Sequence, residues 1–215
     1  MDADGRGFRV WTGLCGFIGP IVLVGSFVIN PAPPPGLSPA ALLAWAQPRA
    51  GFLQLGGWMQ GIGSLLMVMF CFAVVEAAGE PNRFAGRLTR LAGTTILAVS
   101  LIEVTFYLAV AGAVASGDTQ LGLLSGGMIK AVQHVFLIAP ALLIPLGFVL
   151  ARTRVMGWLL AYSALAIGVT LQVLGFAGIF RPLQPVIDVV LIVQASWFLI
   201  AGVAFAIGPT GTNSG

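Results

Sequence analysis

Charged residues are scarce in this sequence. Only 8% of its 215 residues are Asp, Glu, Lys or Arg, whereas 58% are hydrophobic, and the mean hydropathy is +1.01. Soluble domains carry about 25% charged residues. A water-soluble fold of this length could not cover its surface with so few charges. We therefore expect most of the protein's exterior to face a lipid bilayer.

Metal-binding residues are scarce as well. The chain has one histidine and two cysteines, Cys15 and Cys71, which fall within apolar runs and form no CxxC pair. This composition argues against a zinc or iron–sulfur site, and we expect neither a metal nor another cofactor. The Walker, HExxH and GxSxG motifs are also missing, which argues against ATP-driven transporters, metalloproteases and serine hydrolases.

Positive charge is present but dispersed. The net charge is +3, and most arginines lie in short gaps between apolar runs rather than in a basic stripe, so we expect no nucleic-acid partner. The single lysine and the many Ala, Gly and Pro residues are typical of a GC-rich bacterial genome. We expect a multi-pass protein of the bacterial cytoplasmic membrane.

Long apolar runs dominate the chain. About 20 such residues are needed to span the hydrocarbon core as a helix, and six runs are long enough. The sequence therefore predicts one all-α domain over residues 1–215, a bundle of six transmembrane helices. Their predicted ranges are Phe8–Ile29, Gly51–Ala77, Leu88–Ala115, Leu121–Leu150, Met156–Phe180 and Val186–Ile207.

The arginines predict the orientation of this bundle. One side of the membrane would carry seven of them, whereas the other would carry Arg49 and Arg181, with Lys130 near the boundary. The positive-inside rule then places both termini in the cytoplasm. The seven are Arg6, Arg9, Arg83, Arg87, Arg90, Arg152 and Arg154.

The first outer loop, residues 30–50, is the only long one. Ser38 followed by Pro39 is typical of a helix start, so we expect a short helix at the outer membrane interface, either as a connector or as a lid. In the second apolar run, Gly57, Gly61 and Ser64 form a small-residue stripe for close helix packing, within the chain or in a homodimer. Pro140 and Pro145 predict kinks in the fourth run.

Four ionisable residues lie within the apolar runs, where they are costly unless buried against partners or water: Glu103, Lys130, His134 and Asp188. All four are expected in the outer half of the membrane. Glu103 is the deepest, roughly 20 Å above Arg90. Lys130, Gln133 and His134 share one helix face, and a tight loop predicts that their helix lies antiparallel to that of Glu103.

These residues suggest three functions. The first is a membrane-embedded acid/base enzyme, an isomerase or cyclase, that acts on a hydrophobic lipid or isoprenoid chain in a pocket in the outer half of the membrane. Protonated Glu103 would be the acid, and His134 or Asp188 the proton acceptor. The substrate would contact Lys130, Gln133, Tyr107, Phe106, Trp58, Trp197 and Gln54. The second is a small proton-linked transporter or channel, and the third is a non-catalytic accessory protein. Structural explanations also exist: Lys130 could reach the lipid headgroups, Asp188 could pair with Arg181, and Glu103 could form a structural pair.

Overall fold

A computed structural model describes residues 3–30, 37–138, 142–178 and 184–208, and these residues form helices joined by short turns. A 3-10 turn, Gln47–Arg49, joins α2 to α3. The helices are α1 Ala3–Ile29, α2 Pro39–Ala46, α3 Ala50–Ala77, α4 Phe84–Ser116, α5 Thr119–Ile138, α6 Leu143–Thr153, α7 Gly157–Gly178 and α8 Gln184–Ile207.

The chain is a multi-pass membrane protein. Within the described residues, five stretches are helical, long enough and apolar enough to cross a bilayer. They contain α1, α3, α4, α7 and α8, which agree with five of the six predicted runs to within a few residues. The predicted all-α class is confirmed for the described part of the chain.

The fourth predicted helix is described in two stretches, on either side of residues 139–141. The continuous helix expected over Leu121–Leu150 is represented by two helices, α5 and the 11-residue α6. Pro140, where we predicted a kink, lies outside the described residues, whereas Pro145 lies in α6. A proline in a helix interior removes a backbone hydrogen bond and clashes with the preceding turn. The kink predicted at Pro140 stays a prediction.

The short helix predicted in the first outer loop is confirmed as α2. Ser38 is its N-cap, and its Oγ accepts a 3.3 Å hydrogen bond from the backbone N–H of Ala41, with Pro39 in the first turn. Leu42 and Leu43 of α2 lie against Gly126 and Gly122 of α5. Helix α2 therefore lies at the end of the bundle opposite the seven arginines that were predicted to share one side of the membrane.

The helices pack as a closed ring. Each helix contacts the next in the order α1, α3, α4, the α5–α6 segment, α7 and α8, and α8 in turn contacts α1. Glycines allow the closest approaches. A Cβ atom on Gly63 of α3 would lie 2.7 Å from the Leu23 backbone nitrogen of α1, and one on Gly202 of α8 would lie 2.7 Å from the Gly13 carbonyl oxygen.

The small-residue stripe of α3 packs within the chain. Gly57 and Gly61 face Val104 of α4, so the first of the two predicted packing modes is confirmed. The face that carries this stripe is occupied by α4 and does not serve as the seam of a homodimer.

The largest hydrophobic core lies in the arginine-bearing half of the bundle. Phe70 of α3 contacts the rings of Phe198 and Phe205 of α8 edge-on, with centroid distances of 6.1 Å. Leu146 and Leu150 of α6 are fully buried beside them. We call this cluster the inner core. It fills the space between the helices with apolar side chains.

Candidate functional site

Glu103 lies buried between α3 and α4. It is 2% exposed, and its Oε2 accepts a 2.5 Å hydrogen bond from the side-chain Nε2 of Gln60 on α3. Gln60 is buried as well. Glu103 is therefore directed into the bundle rather than toward lipid.

A second polar pair lies one helical turn nearer the inner core. The hydroxyl oxygens of Ser64 on α3 and Ser100 on α4 are 2.8 Å apart and buried. Gln60 and Ser64 are four residues apart and share one face of α3. Ser100 and Glu103 are three residues apart and share one face of α4. Because α3 and α4 run antiparallel, the two faces meet and form two consecutive polar contacts. We call Gln60, Glu103, Ser64 and Ser100 the polar pairs.

Apolar side chains enclose the polar pairs at both ends. Toward the outer end, Leu53, Val110 and Ala111 are buried beneath Ala46 of α2, and the partly buried Tyr107 packs against them. Toward the other end, the inner core begins at Met67. The polar pairs therefore lie in an apolar setting, in which electrostatic interactions, including those of hydrogen bonds, are screened less than in water.

The predicted substrate-contacting residues on α3 and α4 fall into two groups. Phe106 and Tyr107 are partly buried, and Tyr107 lies one turn from Glu103 on the same side of α4. Trp58, which is 60% exposed, and Gln54 lie on the outward face of α3. The structure therefore does not bring Trp58 and Gln54 together with Glu103.

Trp197 belongs to the inner core. It is 4% exposed, its Nε1 donates 3.1 Å hydrogen bonds to the carbonyl oxygen of Leu160 and to Oγ of Ser163, and its ring contacts Phe198 edge-on. These contacts tie α8 to α7. One turn nearer the outer end of α8, Oε1 of Gln194 is buried and lacks a hydrogen-bond partner among the described residues.

Four of the predicted site side chains lie outside the described residues: those of Lys130, Gln133 and His134 in α5, and that of Asp188 in α8. The backbone register of α5 is described. A Cβ atom on Gly122 of α5 would lie 3.5 Å from Cβ of Ala113 on α4. Glu103 lies ten residues before Ala113 on α4. Because α4 and α5 run antiparallel, Glu103 is level with the turn of α5 that contains Lys130, Gln133 and His134.

Gln60 is the site residue that our sequence analysis missed. Gln54 and Gln133 were predicted to contact the substrate, whereas Gln60 was not. A signal was nevertheless present, since Gln60 lies three residues after Gly57 and four before Ser64, on the same small-residue face that we predicted to pack closely.

Within the described ranges, no group of three His, Cys, Asp or Glu side chains lies close enough to hold a metal ion. Comparison of the chain with protein-family models, curated proteins and solved structures finds no match. The function must therefore be argued from the site itself.

Proposed function

We propose that the protein is a membrane-embedded acid/base enzyme that acts on a hydrophobic lipid or isoprenoid chain, with Glu103 as its acid. One observation carries this proposal: a carboxyl side chain, 2% exposed, lies within a membrane-spanning helix and has an amide rather than a cation as its described partner. An ionised carboxylate in such a place is costly, whereas a neutral acid that can give up its proton is compatible with it.

The chemistry requires no co-reactant. Glu103 transfers its proton to one carbon of an alkene, forming a C–H bond and leaving a cation on the neighbouring carbon. Loss of a proton from an adjacent carbon to a base forms the double bond at a new position. His134 and Asp188 are the acceptors that the sequence suggests. Gln60 donates to Oε2 and so stabilises the carboxylate that the first step leaves behind.

The positions of the polar groups favour an enzyme over a transporter. A proton-linked transporter needs access to its carboxyl from both membrane surfaces. Within the described residues, the buried hydrogen bonds that join side chains of α3 and α4 end at Ser64 and Ser100, and the apolar inner core follows. A hydrophobic substrate would instead enter sideways from the bilayer.

The proposed topology has six membrane crossings, with α5 and α6 together forming the fourth. The closed ring supports it, because this segment occupies one place between α4 and α7. With the seven arginines at one end, both termini would lie in the cytoplasm and the polar pairs in the outer half of a bacterial cytoplasmic membrane.

Deuterium incorporation tests the proposed function without knowledge of the substrate. The purified protein would be placed in vesicles of a bacterial total lipid extract in D2O, and mass spectrometry would measure deuterium in carbon-bound positions of the lipids. We expect incorporation by the wild type and a loss of roughly 100-fold or more in Glu103→Gln, in line with the size of general acid catalysis. The Gln side chain can still accept from Gln60, so the fold is preserved.

Glu76→Gln is the matched control, because Glu76 lies at the end of α3 and pairs with Arg90. It should incorporate deuterium as the wild type does. Incorporation that is equal in Glu103→Gln and wild type would refute the proposal. A proton flux that depends on Glu103, without deuterium in any lipid, would refute it in favour of the transporter.

A further inference from the structure

A cavity of about 550 Å³ opens at the arginine-bearing end of the bundle, and none of the polar pairs lines it. It lies where α1, α3, α7 and α8 meet the turn that joins α6 to α7. Its size is within the range of small-molecule binding sites. The proposed acid/base chemistry makes no use of it.

Two arginines give this cavity its charge. Arg9 of α1 and Arg154 at the C-cap of α6 both line it. Among the described residues that line the cavity there is no acidic side chain, so the two arginines favour an anion.

The fold holds both arginines in place. Arg9 donates from Nε to the carbonyl oxygen of Phe205 at 3.1 Å, and its guanidinium lies 4.8 Å from the centre of the Phe205 ring. These contacts orient Arg9 toward the end of α8. Arg154 has a φ of 55° and ends α6 in the left-handed conformation. A non-glycine residue in this region is uncommon, and the conformation fixes the direction in which its side chain leaves the turn.

The remaining lining suits a lipid. Ala77, Ala204, Val155 and Met156 provide apolar walls, and Thr153 lies beside the arginines. Exposed apolar side chains flank the opening, since Trp158 and Ile207 are 67% and 78% exposed and would contact acyl chains. The helix starting at Gly157 adds the positive end of its dipole at the same place.

We propose that this cavity binds the phosphodiester headgroup of an anionic lipid from the adjacent leaflet. Arg9 and Arg154 contact the phosphate, and the apolar walls contact the glycerol and the first part of the acyl chains. Basic pockets between transmembrane helices on the cytoplasmic side are suited to such headgroups. A free phosphate would satisfy the arginines but leave the apolar walls without a ligand, so we favour the lipid.

Native mass spectrometry of the full-length protein in detergent tests this proposal. Phosphatidylglycerol, phosphatidylcholine or inorganic phosphate would be added in turn, and the bound fraction measured over a concentration series. We expect one phosphatidylglycerol to bind more tightly than phosphatidylcholine. Arg154→Gln should weaken that binding roughly 10-fold, as expected for the loss of a hydrogen bond between charged groups, whereas Arg154→Lys should retain most of it.

Arg6→Gln is the matched control, because it removes the same charge from the same end of the bundle without changing the cavity lining. It should bind the lipid as the wild type does. Equal losses in Arg6→Gln and Arg154→Gln would mean that overall charge attracts the lipid, and the proposed site would be wrong. Inorganic phosphate that binds as tightly as phosphatidylglycerol and displaces it would also overturn the proposal.

Discussion

The side-chain amide of Gln60 on α3 donates a 2.5 Å hydrogen bond to Oε2 of Glu103 on α4, and both residues are buried. This contact joins two membrane-spanning helices through polar groups that have no access to bulk water. A buried polar group that loses its partner keeps its full desolvation cost, so the pair should be sensitive to any change that removes one partner.

Gln60→Leu should destabilise the protein by about 1–3 kcal/mol, because it leaves the buried Glu103 carboxyl without its amide donor. Gln54→Leu is the matched control, since it makes the same change on the exposed face of the same helix and should alter stability little. Thermal or denaturant unfolding in detergent measures both. Similar stabilities of the two variants would contradict the described pairing.

The glycines of α3 give a second prediction. A methyl group at Gly63 would lie 2.7 Å from the backbone nitrogen of Leu23, whereas one at Gly61 would make ordinary contacts of 3.5 Å and 3.6 Å with Leu101 and Val104. Gly63→Ala should therefore cost about 1–3 kcal/mol through overpacking against α1. Gly61→Ala should be neutral or slightly stabilising, because alanine favours the helix.

Unfolding measurements on these two variants, made side by side, check the packing of α3. The reverse order, with Gly61→Ala the more damaging, would mean that the close helix contact lies on the GxxxG face and that the described arrangement of α1, α3 and α4 is wrong.

Glu80 gives a third prediction. Its buried carboxylate lies in the turn between α3 and α4 and pairs with Arg83 at 3.6 Å and with Arg152 of α6 at 3.3 Å. Glu80→Gln should lower the free energy of unfolding by about 1 kcal/mol, since the arginines themselves are largely exposed. Salt should reduce the difference from wild type. Glu76→Gln, which removes a more exposed carboxylate, should have a smaller effect in the same unfolding assay.

Much of the helix pattern could be predicted from the sequence. Five of the apolar runs correspond to long helices, and Ser38 caps the short helix expected in the outer loop. These features depend on run length and local capping chemistry, which a single sequence contains. The fourth run, Leu121–Leu150, is described only on either side of residues 139–141, as α5 and α6.

The rotational position of each helix was the harder problem. Trp58 and Gln60 are two residues apart on α3, yet the first is exposed and the second faces Glu103. In a membrane, apolar residues cover the lipid-facing side as well as the packed side, so hydrophobic periodicity no longer distinguishes the two. The small residues Gly57, Gly61 and Ser64 were the better guide, because they mark the face of α3 that packs against α4. Extending that stripe to Gln60 would have identified the partner of Glu103.

The central claim is that Glu103 is an acid that a hydrophobic molecule can reach from the bilayer. A membrane-soluble carbodiimide reacts with protonated carboxyl groups, and peptide mass spectrometry locates the adduct. We expect one adduct at Glu103 in the folded wild type, none at that position in Glu103→Gln, and protection by co-purifying lipid. Adducts at water-exposed carboxyls such as Glu76, with Glu103 unmodified, would instead mean that Glu103 and Gln60 form a sealed structural pair.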